Sequence, residues 1–378
     1  MSLSRAAPLT VFLQGVRVQN WVVIVASVVA IVVVLLALSL VYSRMLPAAS
    51  LAGSVGVSLA AAATGVVAWL TLAPVVLPQT VGALYWPIAA LGGVAAFLAT
   101  LAVRAVGAGV FVTLVFGLAW SALVFVPSAI LTFGITGLTG SVGFEPVDHG
   151  GSIAVNVAGG AAALGVLFAA GRAAPRPRTS ALPLGVGVAA VLALSAGWIT
   201  WLAWAELAID DVTPSIVLNG LVGALGGIGG WVIVQRIRHQ HTTITGVAGG
   251  LVSGLVSITA GAPLLTTVSS AVAGITAGAI ACIFTLRRVG GTRRPPWFIV
   301  GSHLIAGAVG IVILGVLATG TGYLFTGDPS IIYTGRFGYI EKQVVAVLLV
   351  AAYSTGISYA VWMLLKRATA SRVVVETP

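Results

Sequence analysis

The chain has 378 residues, of which 59% are apolar and only 7% are charged. Soluble domains carry about 25% charged residues, so the composition excludes a pair of soluble domains and requires hydrocarbon around most of the exterior. The formal net charge is +10, but the basic residues lie in short gaps between apolar stretches, so no nucleic-acid partner is expected. The single cysteine, Cys282, lies in an apolar run and provides neither a disulfide framework nor a metal cluster.

The apolar runs predict an all-α integral membrane protein with eleven transmembrane helices. A membrane-spanning helix needs about 20 mostly apolar residues. Between charges, Pro/Gly clusters and polar turns, the predicted spans in chain order are 20–43, 51–77, 84–103, 108–132, 150–171, 182–204, 215–234, 244–262, 267–286, 298–319 and 340–365. The first run is too long for a signal-peptide core and is predicted to be a retained span.

The charged residues predict how the chain crosses the membrane. With the N-terminus outside and the C-terminus in the cytoplasm, fourteen of the 18 lysines and arginines fall in cytoplasmic gaps, and seven of the 8 acidic residues fall outside. This distribution is typical of the positive-inside rule and favours an N-out/C-in, multi-pass protein of the plasma membrane. The predicted organisation is an extracellular N-terminal segment 1–19, a first five-helix repeat 20–171, a second five-helix repeat 182–319, an eleventh helix 340–366 and a short cytoplasmic tail 367–378.

Two spans share a pattern that indicates an internal repeat. The fifth span places Asn156 ahead of a run of small residues, and the tenth span places His303 ahead of a similar run. Five spans per unit is an odd number, so two such units would be inverted relative to each other. Asn156 and His303 would then approach the membrane midplane from opposite sides, as polar residues do in many transporters.

Many of the 48 glycines recur at a spacing of four. Gly223 with Gly227, and Gly250 with Gly254, illustrate the pattern. Small residues at this spacing let helix backbones approach closely, which stabilises bundles in lipid. We expect these glycines to pack helices within the chain rather than to bind a ligand.

The stretch from Asp148 to Leu164, Asp-His-Gly-Gly-Ser-Ile-Ala-Val-Asn-Val-Ala-Gly-Gly-Ala-Ala-Ala-Leu, resembles the signature of the ammonium transporter/methylammonium permease/Rhesus family. That signature has an aspartate, a glycine pair, a histidine eight residues after the aspartate, and a run of small residues. Other pieces follow in the family's order: Trp201-Leu-Ala-Trp204, the segment 245–263, Gly301-Ser-His303 and Gln343. The similarity covers most of the chain at low identity, and eleven spans with an outer N-terminus is the family's architecture.

The resemblance implies a homotrimer in the lipid bilayer in which each subunit has its own narrow pore. It implies that aromatic rings in an outer vestibule recognise ammonium, which loses its proton before ammonia passes two facing histidines. Aromatic faces stabilise cations, and a bare charge in hydrocarbon is costly. We therefore expect a channel for ammonium/ammonia or a similar small neutral or protonatable solute, with Asn156 and His303 lining the pore and Phe97, Phe133 and Asp148 at its mouth.

This sequence departs from the family's pattern at the pore pair. Asn156 stands where the family has its first pore histidine, and an amide cannot relay a proton by titrating. The two-histidine relay is therefore not expected here, although a polar lining remains. Asp148 matches the family's aspartate near the ammonium site, and it also fits as a cap of the fifth helix.

The outer mouth departs from the pattern as well. The resemblance places Phe133 at the vestibule tryptophan, Phe97 at one of two gating phenylalanines, Leu207 at the other and Asp211 at the vestibule serine. Trp204 is placed at the same mouth. The neighbouring carboxylates of residues 206, 210 and 211 would concentrate cations there.

Other interpretations stay open. A family paralogue without transport, acting as an ammonium sensor or a structural membrane subunit, fits the altered pore pair, and so does an unrelated transporter with similar repeats. Asn156 and His303 also fit as helix-packing residues. No nucleophile–base pattern, P-loop or dinucleotide fingerprint occurs, so no enzyme, catalytic residue, cofactor or metal site is expected. Only twelve residues follow Lys366, so docking of a P-II-type regulator through the family's longer tail is not expected.

Overall fold

The structure is a computed structural model, and it describes residues 21–43, 46, 50–76, 83–133, 146–170, 182–286, 288–289, 292–293, 296–319 and 338–373. The predicted segment 1–19, much of the predicted loop charge and the last five residues of the tail lie outside these ranges. In the described part, eleven helices, α1 to α11, cover Trp21–Ser43, Leu51–Val76, Tyr85–Ala105, Val110–Thr132, Ser152–Ala170, Leu184–Trp204, Thr213–Ile237, Ile244–Thr259, Thr267–Thr285, Pro296–Leu317 and Gly338–Val373.

These helices confirm the eleven predicted spans. Ten are long and apolar enough to cross a membrane, and α8 is a shorter apolar helix of 16 residues. The chain is thus an all-helical, multi-pass membrane protein. A small antiparallel hairpin is the exception, in which β1 (Arg288–Val289) pairs with β2 (Thr292–Arg293) in the basic gap between α9 and α10.

The helix α8 ends three residues before its predicted end because the chain breaks into a tight turn. Its N-terminus is capped by Thr243, whose hydroxyl accepts a hydrogen bond from Gly246 N at 3.0 Å. After α8 a short 3₁₀ segment follows, Ala262–Leu264. Asn219 of α7 donates to the carbonyls of Ala262 and Leu265, at 2.9 and 2.7 Å. These bonds satisfy backbone groups that the interrupted helix would leave unpaired inside the bundle.

Glycines bring α7 into close contact with α8 and α9, as the spacing predicted. A Cβ added at Gly227 would lie 2.6 Å from the Cα of Gly254, and one at Gly278 would lie 2.8 Å from the Cα of Gly227. Real Cβ atoms are essentially never found at such distances. The close backbone approach therefore depends on the missing side chains.

The helices α5 and α10 meet at the centre of the bundle. A Cβ at Gly160 would lie 2.8 Å from the Cβ of Leu304, so glycine permits the contact. Each helix carries a π-helical turn, Ser152–Val157 in α5 and Val300–Ile305 in α10. The matching turns agree with an inverted five-plus-five arrangement, whose boundaries stay a prediction.

Candidate functional site

The π-helical turns of α5 and α10 carry Asn156 and His303, and the structure brings the two side chains together. The Oδ1 atom of Asn156 lies 2.8 Å from Nδ1 of His303. Asn156 is 2% exposed and His303 is 0% exposed. Because an amide oxygen only accepts hydrogen bonds, Nδ1 must carry a hydrogen, and Nε2 of a neutral ring is then an acceptor. The pair fixes one tautomer of His303.

The turns explain why these two side chains meet. A π-helical turn inserts an extra residue into the helix and is often found at functional sites. The chain enters α5 through Gly151, whose φ of 87° is in the left-handed region that glycine adopts without strain. Gly150 N donates to the carbonyl of Thr259 in α8 at 2.9 Å, which fixes the start of α5 against the end of α8.

Tyr42 of α1 occupies the other side of His303. Its hydroxyl lies 2.7 Å from Nε2 of His303, and since Nε2 is the acceptor, Tyr42 donates. The Tyr42 ring packs edge-on against Phe97 and Phe298, with centroid distances of 6.1 and 5.5 Å. The sequence analysis missed Tyr42, although a tyrosine near the end of an otherwise aliphatic span is a usable signal. Aromatic rings and a hydrogen bond therefore close the bundle around His303.

A small cavity reaches Asn156 from the opposite side. It offers the centre of a water-sized molecule about 20 Å³, close to the minimum of about 10–15 Å³ that one water needs. Aliphatic side chains of α1 and α3 line it, together with Trp198 and Trp201 of α6. Both indole N–H groups have other partners: Trp198 donates to Thr259 Oγ1 at 2.9 Å and Trp201 donates to Gly150 O at 3.0 Å. Asn156 is therefore the main polar side chain among the described residues that line this inner cavity.

A larger cavity lies at the end of the bundle where α5 begins. It offers water-sized molecules about 230 Å³, and its described lining includes Phe133, Asp148, His149 and Glu206. The sequence analysis placed Phe133 and Asp148 together at a mouth, and here they line one cavity. We call it the mouth cavity.

Asp148 has two roles in this geometry. Its Oδ2 accepts hydrogen bonds from the backbone N–H groups of Ile153 and Ala154, at 2.9 and 3.1 Å, and so caps α5. Its Oδ1 is buried and has no hydrogen-bond partner among the described residues. Burial raises the pKa of Asp148 to about 7, although the backbone hydrogen bonds act in the opposite direction.

His149 and Glu206 complete the polar part of the mouth cavity. The Nε2 atom of His149 donates to the carbonyl of Leu202 at 2.9 Å, and burial lowers the pKa of this histidine to about 4, so it is neutral at pH 7. Burial, and to a lesser extent Asp210, raise the pKa of Glu206 to about 7. The mouth is thus acidic, and its charge changes near neutral pH.

Four predicted mouth residues lie elsewhere. Phe97 is completely buried beside Tyr42, at the depth of His303. Leu207, with φ 56°, and Trp204 pack against the first turn of α1. Asp211 is exposed, and Glu206 is the carboxylate of its loop that reaches the mouth cavity. Within the described ranges, no three His, Cys, Asp or Glu side chains are grouped closely enough to hold a metal ion.

Comparisons with known proteins agree with this geometry. Residues 81–377 match the Ammonium Transporter Family. An ammonium transporter of Bacillus subtilis is 29% identical over 248 residues, which are 62% of this chain and 57% of the relative. One of Mycobacterium tuberculosis (strain ATCC 25618 / H37Rv) is 25% identical over 265 residues, 67% of this chain and 56% of the relative. The chain thus spans little more than half the length of the curated relatives it matches.

Solved structures share the fold. The delta442 mutant of Mep2 from Candida albicans superposes with a TM-score of 0.78 at 19% identity, covering 92% of each chain. A structure titled Sensor Amt Protein superposes with a TM-score of 0.77 at 15% identity, covering 92% of this chain and 93% of that one. At these identities the likeness concerns the fold.

Proposed function

We propose that this chain, which belongs to the Ammonium Transporter Family, is a membrane channel that attracts ammonium at its mouth and conducts ammonia. One observation carries the proposal: the hydrogen-bonded pair of Asn156 and His303 lies at the end of an apolar cavity with room for one water-sized molecule. Ammonia is of that size and both donates and accepts hydrogen bonds. Curated relatives named as ammonium transporters support this substrate.

The two cavities favour different forms of the solute. Carboxylates at the mouth attract a cation, and the Phe133 ring adds an aromatic face. The inner cavity has indole and aliphatic walls, where a bare charge is costly and a neutral molecule is not. We therefore propose that ammonium releases its proton between the mouth and Asn156.

Transport by this route is electroneutral. Both ring nitrogens of His303 are engaged, Nδ1 with Asn156 and Nε2 with Tyr42. Asn156 does not titrate, so it cannot pass a proton to the histidine. A pore with this pair has no two-histidine relay across it.

The remaining architecture follows from the charges and the resemblance. We propose that the mouth cavity faces outward, that the basic end of α11 lies in the cytoplasm, and that the protein is a homotrimer of the plasma membrane with one pore in each subunit. A regulator that docks through a longer C-terminal tail is not part of this proposal. Protease accessibility of the tail in sealed vesicles tests the orientation, and native mass spectrometry tests the trimer.

The decisive experiment measures ammonium uptake into proteoliposomes, with current recorded on the same membranes. Wild type is compared with His303→Ala, and His239→Ala is the control because His239 is exposed in the loop after α7. Uptake that needs His303, survives the control and carries no current supports the proposal. Current that accompanies uptake refutes electroneutral transport. Absence of uptake by correctly folded protein refutes the channel and favours an ammonium sensor or a structural subunit.

A further inference from the structure

The two cavities on the proposed path differ greatly in size. The mouth cavity offers about 230 Å³ to water-sized molecules, and the inner cavity offers about 20 Å³. Ammonium, which is of water size, leaves most of the mouth unfilled. A larger cation would fit the mouth and would be unable to follow ammonia inward.

The mouth has a charged end and an apolar wall. Glu206 and Asp148 line it, and the buried Oδ1 of Asp148 has no hydrogen-bond partner among the described residues. An unpaired buried carboxylate oxygen is costly, and a cationic N–H donor would relieve that cost. Phe133, Pro263 and Leu264 line the same cavity and present apolar surface. The described lining contains no lysine or arginine that would repel a cation.

We propose that the mouth cavity binds small primary alkylammonium ions, such as n-butylammonium, which block the pore instead of passing through it. The ammonium head lies between Asp148 and Glu206, and the alkyl chain covers Phe133 and Leu264. Each methylene buried from water strengthens binding by up to about fourfold, so affinity rises from methylammonium to n-butylammonium. Binding is a property of the mouth alone, whereas block rests on the proposed channel function.

Binding is tested first, without transport. Isothermal titration of the purified full chain in nanodiscs measures the Kd of n-butylammonium, with 1-butanol as the uncharged probe. Glu206→Gln removes the charge and keeps the shape, and we expect it to weaken binding about tenfold or more. Glu341→Gln is the matched control, because Glu341 is an exposed carboxylate in the first turn of α11 and is not among the described residues lining the mouth cavity.

The outcomes separate the two proposals. Binding of n-butylammonium but not 1-butanol, weakened by Glu206→Gln and unchanged by Glu341→Gln, supports the site whether or not the protein transports ammonium. Equal affinity of wild type and Glu206→Gln, or no binding by wild type, overturns it. In proteoliposomes that take up ammonium, inhibition by n-butylammonium supports block, and entry of labelled n-butylammonium overturns it.

Discussion

The substitution Tyr42→Phe tests whether the bundle is held closed at His303. It removes one hydroxyl group and keeps the ring between Phe97 and Phe298. That hydroxyl donates to Nε2 of His303 at 2.7 Å, in a site without exposed surface. The arrangement leaves no room for a solute to pass His303, so permeation requires the Tyr42 side chain to move.

The size of the effect follows from this one bond. A net intramolecular hydrogen bond contributes about 0.5–1.5 kcal/mol, and loss of the bond destabilises the closed arrangement alone. The ratio of open to closed molecules then rises by about 2- to 13-fold. If closed molecules predominate, the initial rate of ammonium uptake rises by the same factor.

The assay is the initial rate of ammonium uptake into proteoliposomes at matched protein content. Tyr353→Phe is the control, because its hydroxyl donates a bond of similar length, 2.8 Å, to Leu123 O on the outer face of the bundle. An unchanged or slower rate for Tyr42→Phe, in protein that elutes and melts like wild type, would show that this bond does not hold the pore closed.

Three further predictions concern packing, capping and charge. Gly227→Val should destabilise the bundle by about 1–3 kcal/mol or more through overpacking, whereas Gly229→Val, with nothing within 4 Å of its Cβ, should melt like wild type in detergent. Asp148→Ala should cost about 0.5–2 kcal/mol of stability by uncapping α5, and Asp148→Asn should cost less because it keeps an acceptor oxygen; equal melting of both variants would contradict the capping role. Binding of n-butylammonium should weaken between pH 8 and pH 6, because Glu206 and Asp148, both with a pKa raised to about 7, take up protons there while His149, with a pKa of about 4, stays neutral; pH-independent titrations would refute this.

The sequence determined the membrane fold and the central pair. Each span is written locally, since about 20 apolar residues must satisfy their own backbone hydrogen bonds in hydrocarbon. The similar runs after Asn156 and His303 predicted that these residues would approach from opposite sides, and they are in contact. The glycine spacing likewise predicted the close packing of α7, because small residues four apart share one helix face.

Only the tertiary structure decided which side chains surround that pair. Tyr42 lies 261 positions from His303 in the chain, and no local pattern joins α1 to α10. The resemblance assigned Asp211 to the mouth, but Glu206 reaches it; it paired Trp201 with Trp204, but Trp198 shares the inner cavity with Trp201. Near helix ends and π-helical turns, a shift of one residue turns a side chain by about 100°, so its direction depends on the packing of the neighbouring helices.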